Sequence, residues 1–383
     1  MAVLREYRPA MAAFVQMMAM ALTTTALSFF VGPVCQELGF GRGSFTVYYS
    51  ILTAAGTLAS PFLGQATQRW GVGAVATVSA FWTASGLLAF SFCTELWMFY
   101  VVGAVTGCFG TACVTLCASV TVQTSYRGSA ASRLTGIVMA GSGLGGMIVS
   151  FILPGLIDDW GWRWGYRVTA VCWLVLGLSA AWLLRGRRNA GTTGKRQTGG
   201  MTQAQALRSG RLYILILVIF LLSAASGVQQ QLPVVLSDVG LDTARVSLVM
   251  SGFTAALALG KIFQGMIYGK VGPKIGGAVM VICYALGFFL LGHGYVLPGL
   301  VALAVGMGTV TTLMPIVARA VFGRREYASI WSILSAFSNL GAMTAAPLFG
   351  VAFDMTGSYA GALIAAAVLL IPALAALMVV FRK

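Results

Sequence analysis

The sequence predicts an all-α integral membrane protein of twelve transmembrane helices arranged as two pseudo-symmetric six-helix bundles. Three observations predict it. Of the 383 residues, 58% are hydrophobic and 9% are charged, with a mean hydropathy of +0.89, where a soluble domain carries about 25% charged residues. Twelve long apolar runs follow one another, interrupted by a single ionised side chain. Short glycine-bearing motifs also recur between the two halves of the chain at fixed spacing.

The runs occupy residues 9–35, 45–68, 72–94, 96–126, 134–157, 168–184, 212–237, 246–268, 275–291, 295–318, 327–353 and 357–381. A helical span needs about 17–25 residues, so each run suffices for one crossing and little chain is left for an extramembrane domain. The runs are continuously apolar, which excludes the alternating strands of an outer-membrane barrel. Helices satisfy their own backbone in lipid. The first run is too long for a signal peptide, and no small-x-small cleavage site ends it before Glu37, so it reads as a retained first span.

Residues 1–184 and 212–383 read as the two bundles, joined by a polar stretch at 185–211. That stretch carries Arg187, Arg188, Lys195, Arg196 and Arg208 among Gly, Thr and Gln, the composition of a flexible basic linker. The net charge of +15 is unevenly placed. With both termini on one side, that side holds nineteen Lys and Arg against Glu6 and Glu326, and the other holds four against seven acids. Cytoplasmic loops retain positive charge, so both termini, and the linker, are expected in the cytoplasm of a cell whose cytoplasmic membrane the chain crosses many times. The basic excess is a topology signal, and no aromatic or folded reader accompanies it, so no nucleic acid partner is expected.

One His, nine acids and seven scattered Cys supply neither a catalytic constellation nor metal-ligand spacing. No enzyme activity, metal or cofactor is expected. His293 falls in an outer turn, where a solvated role is expected. Most of the cysteines fall inside spans as small apolar packing residues, and Cys35 and Cys93, near the outer face, form the one candidate disulfide.

Gly64, Arg69 and Gly71, between spans two and three, recur as Gly265, Lys270 and Gly272, between spans eight and nine, each offset by 201 residues. Gly145, Asp158 and Gly161 recur as Gly341, Asp354 and Gly357, each offset by 196. Two such matches at equivalent places argue for a duplicated six-helix unit. Twelve spans, a cytoplasmic middle linker and these Gly-x4-basic-x-Gly turns resemble the major facilitator superfamily over nearly the whole chain. The superfamily's Asp before the basic residue is replaced by Gln68 and Gly269, so no carboxylate latch is carried over to these turns.

A finer resemblance is to the branch of monocarboxylate porters and oxalate/formate exchangers. It rests on Arg127-Gly128-Ser129-Ala130 ahead of span five, Gly161-Trp162-Arg163 after it, Gly260-Lys261 with Gly265 in span eight, and Asp354-Met355-Thr356-Gly357-Ser358-Tyr359 after span eleven. These marks are short and moderately specific.

Lys261 is the one Lys, Arg, Asp or Glu inside a predicted span. A charge at that depth costs a few kcal/mol and usually serves function, although a long stem near the cytoplasmic end can also snorkel. The branch resemblance implies a substrate-binding cation in span eight at this offset from Gly265, and so a carboxylate at Lys261. Lys is a compact point charge without the bidentate fork of Arg, and unlike Arg it can shed its proton when desolvated. The branch's exchangers carry a second cation in span eleven, whereas 331–339 contains no Lys or Arg, which points to a single-carboxylate substrate.

Further binding candidates are Ser335 and Asn339, which with Ser338 share one face of span eleven. Packing between helices is an equal reading of this face. Span seven offers Gln230, spaced to stack with Ser223 and Ser226. Weaker candidates are Thr24 in span one, Tyr48 in span two and Thr115 in span four. Gly64, Arg69, Gly71, Gly265, Lys270 and Gly272 are the turn and gating candidates. Gly141 and Gly145 fit close helix packing.

The expected function is secondary transport of a small organic anion, a monocarboxylate, by alternating access. A proton or counter-anion is its coupling partner, and the chain is expected to act as a monomer in the bilayer. Competing readings are an efflux carrier for an amphipathic drug-like compound and a non-transporting membrane sensor with a carrier fold.

Overall fold

The computed structural model describes residues 2–184, 200–230, 232, 236, 243–356 and 359–381. Its regular elements are helices: α1 Ala2–Leu38, α2 Arg42–Trp70, α3 Val72–Phe90, α4 Leu96–Gly107, α5 Thr111–Ser125, α6 Gly128–Trp160 and α7 Trp162–Leu184. They continue as α8 Gln203–Leu207, α9 Gly210–Ser226 with a 3-10 turn at Gly227–Gln230, α10 Thr243–Gly292, α11 Val296–Met307, α12 Thr309–Phe322, α13 Tyr327–Thr356 and α14 Tyr359–Val380.

Among the described residues, eight helical stretches are long and apolar enough to cross a membrane, with shorter apolar helices at α4 and α5. One of the eight, Leu248–Gly292, holds two crossings, because Gly272 (φ 82°, ψ 164°) turns the chain inside α10. Counting α4 with α5 and α11 with α12 as one crossing each, and adding α2 and α13, gives the expected twelve. Apolar side chains such as Leu58, Phe151, Val171 and Leu259 are exposed along the helix flanks, while Trp70, Trp97, Trp160 and Trp164 are exposed at helix ends. That is the pattern of lipid-facing flanks and interfacial aromatic belts.

Two features depart from the expected elements. The fourth run breaks between α4 and α5, and the tenth breaks at Gly308. Gly107 and Gly308 stand 201 residues apart, so the break belongs to the repeat. The second part of the linker is also ordered, where flexible coil was expected. Thr202 Oγ1 accepts from the Gln205 amide at 3.2 Å, and the Thr202 amide donates to Gln205 Oε1 at 2.9 Å. This capping box starts α8. The Met201 amide donates to the Phe322 carbonyl at 2.8 Å, which ties this segment to the end of α12. Residues 185–199, including Arg187, Arg188, Lys195 and Arg196, lie outside the described residues.

The chain forms two compact units, Met1–Ser125 with Gly141–Gly200 and Arg324–Ala336, and Tyr126–Ala140 with Met201–Gly323 and Phe337–Lys383. The dividing line passes through α6 and α13. In the first unit α3 packs on α7, α1 on α7 and α5, and α2 on α4. An aromatic cluster of Phe30, Phe45, Tyr48, Phe90, Phe99, Trp162 and Tyr166 fills its core, with the Phe30 and Tyr166 rings stacked at 3.8 Å. Glu37 accepts from Trp162 Nε1 at 2.7 Å and pairs with Arg163, joining the end of α1 to the start of α7. In the second unit α10 packs on α11 and α14, and α14 on α9.

Glycines set the tightest helix approaches. A methyl at Gly145 would lie 3.0 Å from Met18 Cα, and one at Gly141 would lie 2.8 Å from the Phe14 carbonyl oxygen, so α6 packs on α1 as the Gly141/Gly145 spacing implied. Cys35 and Cys93 are not disulfide-bonded, which corrects the candidate disulfide. Both are buried in the first unit.

Candidate functional site

In the second unit α10 carries Lys261 inward. It is 8% exposed and is the one charged residue among the buried described residues. Its Nζ donates to the Met139 carbonyl of α6 at 3.4 Å, so the stem is turned into protein and does not snorkel to the interface. One turn further along α10, Gln264 is fully buried. Its Nε2 donates to the Val305 carbonyl, to the Gly306 carbonyl at 3.4 Å and to Thr309 Oγ1 at 3.3 Å. These are groups at the α11/α12 break, where the helical ladder is interrupted. The Gln264 carbonyl oxygen is buried without a hydrogen-bond partner among the described residues. Gly308 makes this fit: a methyl there would come within 2.9 Å of Lys261 Cγ and 3.0 Å of Gln264 Oε1.

Gly265 seats the same helix on α6, where a methyl would lie 2.7 Å from the Ser132 carbonyl and 2.8 Å from Gly136 Cα. In the first unit, Gly64 of α2 meets Ser332 and Ala328 of α13 in the same manner. Ala328 and Ser332 stand 196 residues after Ser132 and Gly136, and Gly265 stands 201 after Gly64. The two contacts are therefore repeats of each other. Gly71 (φ 86°, ψ 155°) and Gly272 (φ 82°, ψ 164°) share one backbone conformation, and Arg69 and Lys270 are both exposed beside them.

The remaining candidates divide. Asn339 is half-buried on α13 in the second unit. Its neighbour Ser338 bonds Ser223 of α9 at 2.7 Å, so part of this face holds helices together. Ser335 is buried and belongs to the first unit. Gln230 lies in the 3-10 turn after α9, not in the α-helical register expected with Ser223 and Ser226, and its side chain is outside the described residues. Thr24 is half-buried and bonds the Met20 carbonyl of its own helix at 3.1 Å. Thr115 donates to Met20 Sδ at 3.5 Å. Tyr48 is 1% exposed within the aromatic core and donates to the Leu27 carbonyl at 3.4 Å. Gln264 was missed by the sequence reading, though its place one turn from Lys261 was available in the spacing.

Comparison with known proteins bears on the fold. The model of the Major Facilitator Superfamily matches residues 10–291 and 231–383. An MFS-type transporter of Gibberella moniliformis (strain M3125 / FGSC 7600) is 26% identical over 306 residues, covering 78% of this chain and 73% of its own. Among solved structures, the proton:xylose symporter XylE aligns with a TM-score of 0.78 at 12% identity, over 97% of this chain and 94% of its own. The E. coli fucose:proton symporter aligns at 0.74 and 13%, over 98% and 99%. The human organic anion transporter MFSD10 aligns at 0.72 and 13%, over 97% and 99%. At these identities the structural likeness is one of fold.

Proposed function

The chain belongs to the Major Facilitator Superfamily, and from that premise we propose that it is a secondary carrier for a small organic anion, a monocarboxylate, with Lys261 as the carboxylate-binding residue. The observation that carries this reading is the burial of Lys261 in a transmembrane helix. A buried ammonium is expensive to keep in a bilayer, and an anionic ligand relieves that cost. Solved neighbours of the same fold include carriers titled for sugars and for organic anions, so the fold does not choose the substrate. The single buried cation among the described residues favours an anion, and the absence of Lys or Arg from 331–339 favours one carboxylate over two.

In this reading the carboxylate neutralises Lys261 and permits the change between inward- and outward-facing states, with a counter-anion or a proton completing the cycle. Asn339 and Gln230 are polar groups of the C-terminal half that join Lys261 in binding. Tyr48 and Thr24 are given packing roles. The carrier works as a monomer in the cytoplasmic membrane, with both termini in the cytoplasm.

The test is uptake of labelled monocarboxylates into proteoliposomes, with and without internal counter-substrate and an imposed pH gradient. Lys261→Gln is expected to reduce uptake at least tenfold while the protein remains folded. Unchanged uptake in that variant would end the proposal, and transport of amphipathic drug-like compounds in place of carboxylates would support the efflux reading.

A further inference from the structure

A second feature lies wholly in the first unit and does not depend on the transport reading. Where α3 ends and α7 begins, two arginines stand one turn apart on α7 with different attachments. Arg163 pairs with Glu37 and lies over the Trp162 ring at 4.2 Å. Arg167 is half-buried against two rings, with its guanidinium 4.9 Å from the centroid of Trp164 and 5.5 Å from that of Phe92. No ion pair or side-chain hydrogen bond holds that guanidinium among the described residues, and the exposed Glu95, Asp158 and Asp159 do not pair with it. The rings attract the charge but supply no oxygen, so the N–H donors are left for another acceptor. Away from this end the helix flanks are apolar. Val171 and Val175 follow Arg167 by four and eight residues, and Leu88 and Phe81 precede Phe92 by four and eleven, spacings that keep each set on one helical face. All four are exposed, and α3 packs on α7, where a methyl at Gly177 would lie 2.6 Å from Ala80 Cβ. Trp160 and Trp164, both exposed with rings 6.4 Å apart, mark the polar end as the membrane interface.

We propose that the seam between α3 and α7 binds one phospholipid, with its phosphodiester on the Arg167 guanidinium and its acyl chains along the exposed faces of the two helices. A guanidinium presents paired N–H donors that match the two free oxygens of a phosphodiester, and it does so while stacked on aromatic rings. The apolar faces have the right depth. Arg167 to Val175 spans about 12 Å and Phe92 to Phe81 about 16 Å at the helical rise, against about 15 Å for the hydrocarbon of one leaflet. Free phosphate lacks the chains for these faces, and a neutral glyceride lacks the anion for Arg167. The lipid belongs to the leaflet at this end of the bundle, the outer one in the orientation argued from charge, and its binding does not depend on that orientation. Because the guanidinium touches Phe92 beyond α3 and Trp164 on α7, the lipid ties the ends of these two helices together.

The experiment titrates the full-length, delipidated protein in detergent with dioleoylphosphatidylcholine, following bound lipid by native mass spectrometry and the Tm. Phosphatidylcholine carries the phosphodiester without net charge, so the basic loops at the other end of the bundle do not collect it. The expected result is one lipid bound in excess of the non-specific distribution, with a raised Tm. Dioleoylglycerol, which has the same chains without the phosphate, is expected to give neither effect, and inorganic phosphate at millimolar concentration is expected not to displace the lipid. Arg167→Gln is expected to raise the Kd of that lipid about fivefold or more, while Arg245→Gln, in the second unit, leaves it unchanged. Helical content and the lipid-free Tm of Arg167→Gln show whether the variant is folded; if it is not, the comparison of phosphatidylcholine with dioleoylglycerol on the unmutated protein decides. Equal binding of dioleoylglycerol overturns the proposal in favour of a purely apolar seam, and displacement by inorganic phosphate overturns it in favour of a soluble anion. An unchanged Kd in folded Arg167→Gln, or an equal loss in Arg245→Gln, overturns it as well, as does a dimer of the chain that excludes the lipid from this face.

Discussion

Lys261 and Gln264 are one turn apart on α10, yet they carry opposite obligations. Lys261 brings a charge into a buried place, while Gln264 spends its amide N–H groups on carbonyls at a helix break. Lys261→Met keeps the stem and removes the ammonium, so it is expected to stabilise the folded protein by up to about 3 kcal/mol, the insertion cost of a central lysine. The same variant should abolish carboxylate uptake. Thermal unfolding in detergent beside the proteoliposome assay checks both; a lower Tm would mean that the charge serves the fold and not a ligand. Gln264→Leu keeps size and removes the donors, leaving the Val305 and Gly306 carbonyls short of a partner at a cost of about 1–3 kcal/mol. Lys261 stood out in the sequence because an ion inside an apolar run is conspicuous. Gln264 did not, because an amide costs less to insert, and its task is set by a break in another span.

Those breaks define the element scale. Residues 108–110 separate α4 from α5 without proline or charge, so hydrophobic periodicity had nothing there to register. The structure meets the cost with side chains from α3: Ser79 Oγ donates to the Phe109 carbonyl at 2.6 Å, and Trp82 Nε1 donates to the Val105 carbonyl at 2.7 Å. Gln264 performs the corresponding service at α11/α12. The turns at Gly71 and Gly272, by contrast, were readable, because their motif recurs at a fixed offset, and the structure gives both the same conformation. With φ positive and ψ near 160°, that conformation is open essentially to glycine alone. Gly71→Ala and Gly272→Ala are therefore each expected to cost about 1–3 kcal/mol. Asn, which is tolerated in the ordinary left-handed helical region, should rescue neither. Thermal unfolding of the four single variants checks this, and an Asn variant much more stable than its Ala counterpart would contradict the backbone argument.

At the scale of the whole molecule, the repeat explains why the fold was accessible from sequence while the site was only partly so. Matching offsets of 201 and 196 residues fix which helices correspond, and the equivalent contacts of Gly64 with Ser332 and of Gly265 with Gly136 follow from that duplication. Binding groups need not obey it: Lys261 corresponds to Ser60 in the first half, a buried residue whose hydroxyl bonds the Gly56 carbonyl at 2.8 Å. Charge placement is a further whole-chain property, and it supports a last prediction. Nineteen Lys and Arg against two acids on one side, and four against seven on the other, require both termini to face the cytoplasm if positive loops are retained there. On a background in which the native cysteines are replaced, His293→Cys should react with an impermeant maleimide in intact cells. Arg208→Cys and a cysteine at Lys383 should react only after permeabilisation. Labelling of Arg208→Cys in intact cells would reverse the orientation, and would place the exposed turn residues Arg69 and Lys270 on the outer face as well.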